Sequence, residues 1–144
     1  MCGIIGISSN KSVSANIINS LKKLEYRGYD SAGVATLFDG EINEVKSEGR
    51  VDNLEQNFDL KSLKGNIGIG HVRWATHGVP NSINAHPHSS DNVSVVHNGI
   101  IENSTILKKH LINKGHTFKS QTDTEVIVHL ITENLKIMEL EEAI

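Results

Sequence analysis

The apolar residues Val13, Ile17, Ile18, Leu21 and Leu24 recur at steps of three and four, the stripe of a helix that must bury one face. Just before it, Gly3 to Ser8 carries Ile4, Ile5 and Ile7 among glycines and reads as a short buried strand. Ile67 to Val72 reads the same way. A one-faced helix lying between buried strands calls for α and β layers around a shared core, so the expected class is α+β. At 144 residues the chain is one domain's worth. A chain of that size buries roughly 70% of its unfolded surface, enough for a core of its own.

The remaining segments fill in that outline. Tyr26 to Gly33 is a turn-rich connection, followed by expected strands at Val34 to Phe38 and Glu41 to Lys46. Asp39-Gly40 between them is a strong hairpin signal. A short amphipathic helix is expected around Leu54, and the stretch from Gly78 to Asn92, which holds both prolines, reads as a loop. Val93 to Val96 reads as a strand and Asn98-Gly99 as a tight turn. Asn103 could cap a helix reaching Lys114, with Ile106, Leu107 and Leu111 buried. Thr122 and Glu125 have capping-box spacing ahead of Val126, Ile127, Leu130 and Ile131, which marks another helix start. ELEEAI resembles the opening of a further helix, and about five strands are few for a closed two-layer sheet core. The chain therefore reads as the first part of something longer.

Composition narrows the function classes. A formal net charge of -3 with no basic run argues against nucleic-acid binding, and scarce aromatics argue against base stacking. No segment approaches the roughly 20 apolar residues of a membrane span, and the start lacks a signal peptide's basic region. A single cysteine excludes an internal disulfide and fits a cytoplasmic protein.

That cysteine is Cys2. Cytosolic processing normally removes Met before so small a residue, which would leave Cys2 with a free α-amine. In short peptides such amines titrate near about 8 and thiols near about 8.5, so amine and thiol can exchange a proton close to working pH. This is the N-terminal form of nucleophile activation. The competing reading is a small hydrophobe opening a strand.

Other residues carry similar pairs of readings. Asn98-Gly99 could supply a side-chain amide and a backbone N–H to an oxyanion, or could simply be a hairpin turn. Arg73, at the end of a buried strand, could hold a carboxylate or form a structural ion pair. Trp74 would ordinarily be core. Asp123 could bind an ammonium group or merely complement a helix dipole. Four of the eight histidines fall between positions 71 and 88, so zinc must be weighed. No HxxxH pair appears, and loop rigidity accounts for His86-Pro87-His88; neither a metal nor a cofactor is expected.

MCGIIGI, LEYRGYDSAG, GHVRWATHG, NAHPH, VVHNGIIEN and TDTEVI, in that order along nearly the whole chain, resemble the glutaminase domain of the glutamine–fructose-6-phosphate aminotransferases. Phosphoribosylpyrophosphate amidotransferases share MCGI and the HNG turn, but RWATHG and YRGYDSAG favour the former. The resemblance implies an N-terminal-nucleophile αββα sandwich and L-glutamine as substrate. It implies a Cys2 nucleophile whose own amine is the base, and an oxyanion hole of Asn98 and Gly99. It implies Arg73, Thr76 and His77 at the glutamine carboxylate, Asp123 at its ammonium group, Trp74 lining the pocket and His86 near an interdomain region. The ammonia would pass to a sugar isomerase domain that makes glucosamine 6-phosphate from fructose 6-phosphate.

Residues 1–144 are thus expected to form a partial glutaminase domain, incomplete at its C-terminus and lacking the sugar isomerase domain. Two further readings compete. One is a non-catalytic fragment whose unpaired sheet edges drive homo-oligomer formation or docking to a partner chain. The other is a histidine-rich metal-binding module, which the lack of paired ligand spacing disfavours.

Overall fold

In the computed structural model, residues 1–75, 78–90 and 92–144 are described. The strand β1 (Gly3–Ser8) leads into helix α1 (Ser14–Leu24), a short 3-10 turn (Glu25–Arg27) and the hairpin β2 (Ser31–Phe38) and β3 (Glu41–Glu48). Helix α2 (Asp52–Asn57) and strand β4 (Ile67–Arg73) follow. The second half holds β5 (His88–Ser90), β6 (Val93–Val95) and helices α3 (Ser104–Asn113), α4 (Glu125–Asn134) and α5 (Leu140–Ala143).

The first four strands form an antiparallel sheet in the order β1-β4-β2-β3. Its two faces follow from the strand period of two. Gly68 and Gly70 of β4 face α1, where an added Cβ would stand 2.7 Å and 2.6 Å from Ile17 atoms. Val72 lies on the same face and joins a core of Val13, Ile17, Ile18, Leu21, Ala32, Val34, Val51, Leu54 and Leu63. Fully burying a side chain such as Leu21 stabilises the fold by about 1.5–3 kcal/mol. The alternate residues of β4, His71 and Arg73, consequently point to the other face.

That other face is covered by the segment entering β5. The carbonyl of His86 lies directly over Gly33, where a Cβ would stand only 2.2 Å from it. The Lys46 ammonium donates to the Pro87 carbonyl at 3.1 Å, and the His86–Pro87 peptide is cis. The two-stranded sheet β5-β6 then packs on α4, and α4 on α3. Helix, sheet, sheet and helices thus stack in αββα order.

Several expectations change. The strand expected from Val34 begins at Ser31, because Ser31, Ala32 and Gly33 pair with Arg73, Val72 and His71. Part of the expected loop is strand, since His88–Ser90 finds Val93–Val95 as a partner. Of the residues expected to be buried in α3, Leu111 is buried but Ile106 is exposed. The Thr122/Glu125 capping box does not form: the Glu125 carboxylate accepts from the Lys119 and Ser120 amides at 2.8 and 2.7 Å. Thr122 Oγ1 turns to His88 Nε2 at 2.8 Å. Asn98-Gly99 is a bend with no strand directly after it, so it is not a hairpin turn. Asp39 and Gly40 do form the β2–β3 turn, with φ of 52° and 82°.

Candidate functional site

Cys2 immediately precedes β1, whose Gly3 pairs with Val72, so its sulfur lies beside the end of β4. The Trp74 amide donates to Cys2 Sγ at 3.2 Å, and the thiol faces the Trp74 carbonyl at 3.5 Å. On the other side, the Cys2 carbonyl accepts from Arg27 Nε at 3.0 Å and from Asn98 Nδ2 at 3.3 Å. The residue is held at backbone and sulfur by four separate contacts.

Arg73 ends β4 on the same face as His71 and is only 4% exposed. Its Nη1 donates to the Val79 carbonyl at 3.4 Å, and its own carbonyl accepts from the Asp30 amide at 3.0 Å. Burial lowers its pKa from the usual arginine range, opposed by the nearby Cys2, Asp30 and Asp123. Asp30 also accepts from the Ala75 amide at 2.9 Å, which secures the chain just past Trp74. Trp74 is 47% exposed rather than core, because the strand ends before it; its ring meets Tyr29 edge-on at 5.9 Å.

Asp123 lies ahead of α4 rather than in its first turn, and its Oδ2 accepts from the Ile101 amide at 2.6 Å. The carboxylate is therefore tied to the chain that leaves Asn98-Gly99. Cys2, Arg73, Trp74, Asn98, Gly99 and Asp123 line one cleft of about 400 Å³, with Arg27, His71, His86 and His97 in its walls. A cleft holding a thiol, a buried cation, a carboxylate and an amide donor can bind a zwitterionic amino acid and present its side chain to the sulfur. Thr76 and His77 lie outside the described residues.

Three imidazoles run inward from the cleft wall. His71 and His86 stack at 4.3 Å, and His88 meets His86 edge-on at 4.7 Å. Burial pushes His71 and His88 down to about 4, with Arg73 and Lys46 respectively adding repulsion. Burial and the adjoining imidazoles lower His86 further still. His86 Nδ1 accepts from the His97 amide at 3.4 Å, and His71 Nε2 meets Asn98 Oδ1 at 2.9 Å.

Arg27, Asp30 and His71 carry no local pattern that marks them for the site: Arg27 and Asp30 lie in the turn-rich connection, and His71 is one of eight histidines. Their only signal was membership of LEYRGYDSAG and GHVRWATHG.

Residues 58–138 match the family model described as "Glutamine amidotransferase domain", more than half of the chain. The chain belongs to that family. Among similar proteins are the glutamine–fructose-6-phosphate aminotransferases (isomerizing) of Bartonella henselae, 54% identical over 136 residues, and Pyrococcus horikoshii, 56% identical over 139. That of Clostridium acetobutylicum is 59% identical over 133 residues. These matches cover 91–95% of this chain but only 22–23% of the relatives, so the chain spans under a quarter of their length.

The solved glutamine phosphoribosylpyrophosphate amidotransferase from B. subtilis, complexed with ADP and GMP, superposes with a TM-score of 0.82 at 32% identity. That match covers 99% of this chain and 31% of the other. The amidotransferase domain therefore has the N-terminal-nucleophile fold, with mixed α and β elements and antiparallel sheets. Among the described residues, no helix is long and apolar enough to cross a membrane.

Proposed function

We propose that this domain hydrolyses L-glutamine at Cys2 and supplies the ammonia for making glucosamine 6-phosphate from fructose 6-phosphate. The observation that carries the reading is the convergence of Cys2, Arg73, Asn98 and Asp123 on one cleft. The aminotransferase relatives, matched along nearly the whole chain, supply the acceptor. Residues 1–144 act as the glutaminase part, in the cytoplasm, and a sugar isomerase domain is the partner that consumes the ammonia.

In this reading Met1 is removed, and the Cys2 amine takes the thiol proton, directly or through water. The sulfur attacks the side-chain amide carbon of glutamine, and the carbonyl electrons move to oxygen. Asn98 Nδ2 and the Gly99 N–H stabilise that oxyanion; one such donor is worth about 2.7–4 kcal/mol of barrier. Collapse breaks the C–N bond, the protonated amine gives its proton to the departing nitrogen, and ammonia leaves a thioester on Cys2. Water then attacks the thioester, the thiol is regenerated and glutamate departs. Arg73 holds the substrate carboxylate, with Thr76 and His77 assisting. Asp123 holds its ammonium group, Trp74 closes one wall, and His86 stands towards the partner domain.

The test is ammonia release from glutamine by the native chain and by Cys2→Ala, with intact mass establishing that Met1 is gone. Release by the native chain alone is expected. Equal release by both would remove Cys2 as nucleophile.

A further inference from the structure

The Asn98 side chain has two ends, and only one can serve an oxyanion. Its Nδ2 faces the Cys2 carbonyl at 3.3 Å, while its Oδ1 meets His71 Nε2 at 2.9 Å. An amide oxygen has no proton to give, so the imidazole must be the donor in that bond. We propose that His71 is a positioning residue for glutamine hydrolysis: its Nε2–H fixes the Asn98 amide with the nitrogen turned towards Cys2. The proposal rests on the reading of Asn98 as an oxyanion donor.

The surroundings leave the imidazole little freedom. His71 lies in the central strand β4, between Ile4 of β1 and Gly33 of β2, and is 1% exposed. Its ring is stacked on His86, whose Nδ1 accepts the His97 amide, so one stack holds both the imidazole and the backbone leading into Asn98. Burial and the nearby Arg73 keep the ring neutral at working pH, and a neutral imidazole carries a single N–H. Donation from that N–H also polarises the amide, strengthening the hydrogen bonds that its Nδ2 donates. Without it the amide can rotate by half a turn and present oxygen to oxygen.

The tautomer is read directly, in the unaltered chain, from long-range nitrogen–proton correlations of the His71 ring. A proton on Nε2 is expected, and one on Nδ1 overturns the proposal. Steady-state glutamine hydrolysis by the Met1-processed chain gives the second arm. His71→Ala is expected to lower kcat about tenfold or more with KM within threefold. His71→Gln, whose amide can still donate, should recover most of the loss.

The cycle with Asn98→Ala separates the two readings. If His71 acts through Asn98, His71→Ala costs nothing further in the Asn98→Ala background. An undiminished cost in that background means His71 acts otherwise and overturns the proposal. If Asn98→Ala itself leaves kcat unchanged, the oxyanion reading of Asn98 has failed, and the positioning role falls with it.

Discussion

The Trp74 backbone nitrogen lies 3.2 Å from the Cys2 sulfur and donates a hydrogen bond to it. Gly28 permits that approach. A Cβ there would stand 2.8 Å from both the Trp74 nitrogen and the Arg73 carbonyl carbon, and backbone atoms cannot swing aside as a side chain can. Gly28→Ala should therefore push the end of β4 away from Cys2 and cost about 1–3 kcal/mol of stability. Cys2 alkylation by iodoacetamide should change at least severalfold in rate, since the sulfur loses or reorients its donor. A variant that melts and alkylates like the native chain would show that the contact does not constrain the sulfur.

Asp123 is separable from the chemistry at sulfur. Its carboxylate is anchored by the Ile101 amide, and Asp123→Asn keeps an acceptor for that bond while removing the charge. A hydrogen bond to a charged group contributes about 1.5–3 kcal/mol, so KM for glutamine should rise about 10- to 100-fold. Cys2 alkylation by a small neutral electrophile, which has no ammonium group, should stay within a factor of two. A KM equal to that of the native chain would remove Asp123 from the ammonium subsite.

The imidazole stack makes acid stability a test of burial. In the unfolded chain, His71 and His88 titrate near their ordinary 6.5; folded, burial holds both at about 4. Above about pH 6.5 both states leave the rings neutral, and the fold keeps its full stability. Between 6.5 and 4 the unfolded state binds more protons, so stability falls as pH falls. Each ring contributes a slope of up to about 1.4 kcal/mol per pH unit. Glu125 and Glu133 have pKa values below the usual 4.5, so their losses begin only as pH falls through about 4.5, at the acid end of this window. Urea midpoints measured from pH 7.5 to 4.5 should fall throughout the acidic part. His88→Gln, which can keep the bond to Thr122, should flatten the fall by up to one proton's worth. An identical slope in the variant would mean that His88 is protonated in the folded chain.

What could be read from sequence was what neighbours in sequence decide. The stripe from Val13 to Leu24 became α1, because its periodicity selects the buried face. The run Gly3 to Ser8 became β1, but as a sheet-edge strand with Ile4 exposed rather than the buried strand expected, since which strands lie inside the sheet depends on distant pairing. Cys2, Arg73, Asn98 and Asp123 were identifiable by type and motif, and the fold brings them into one cleft. Where an expectation failed, a partner outside the local pattern often won. Glu125 and Thr122 have capping-box spacing, yet the carboxylate finds the Lys119 and Ser120 amides and the hydroxyl finds His88. The pairing of His71 with Asn98 spans 27 positions and depends on the register of β4, which no local pattern encodes.

Gly33 joins the two sheet layers and so bears on the site from behind. It pairs with His71 in the β2–β4 register, and the His86 carbonyl occupies the space that a side chain would need. At 2.2 Å from a carbonyl oxygen, the methyl of Gly33→Ala cannot be accommodated by a rotamer change; the strand or the His86 segment must move. A destabilisation of about 1–3 kcal/mol is expected for such overpacking, read as a lowered urea midpoint. The displaced His86 would carry the His71 ring with it, because the two are stacked at 4.3 Å. The His71 and Asn98 side-chain resonances should therefore shift in Gly33→Ala, whereas Leu21→Ala, on the opposite face of the sheet, should cost about 2–5 kcal/mol and leave them in place. Equal displacement of those resonances by both variants would mean that the two faces of the sheet are not mechanically distinct.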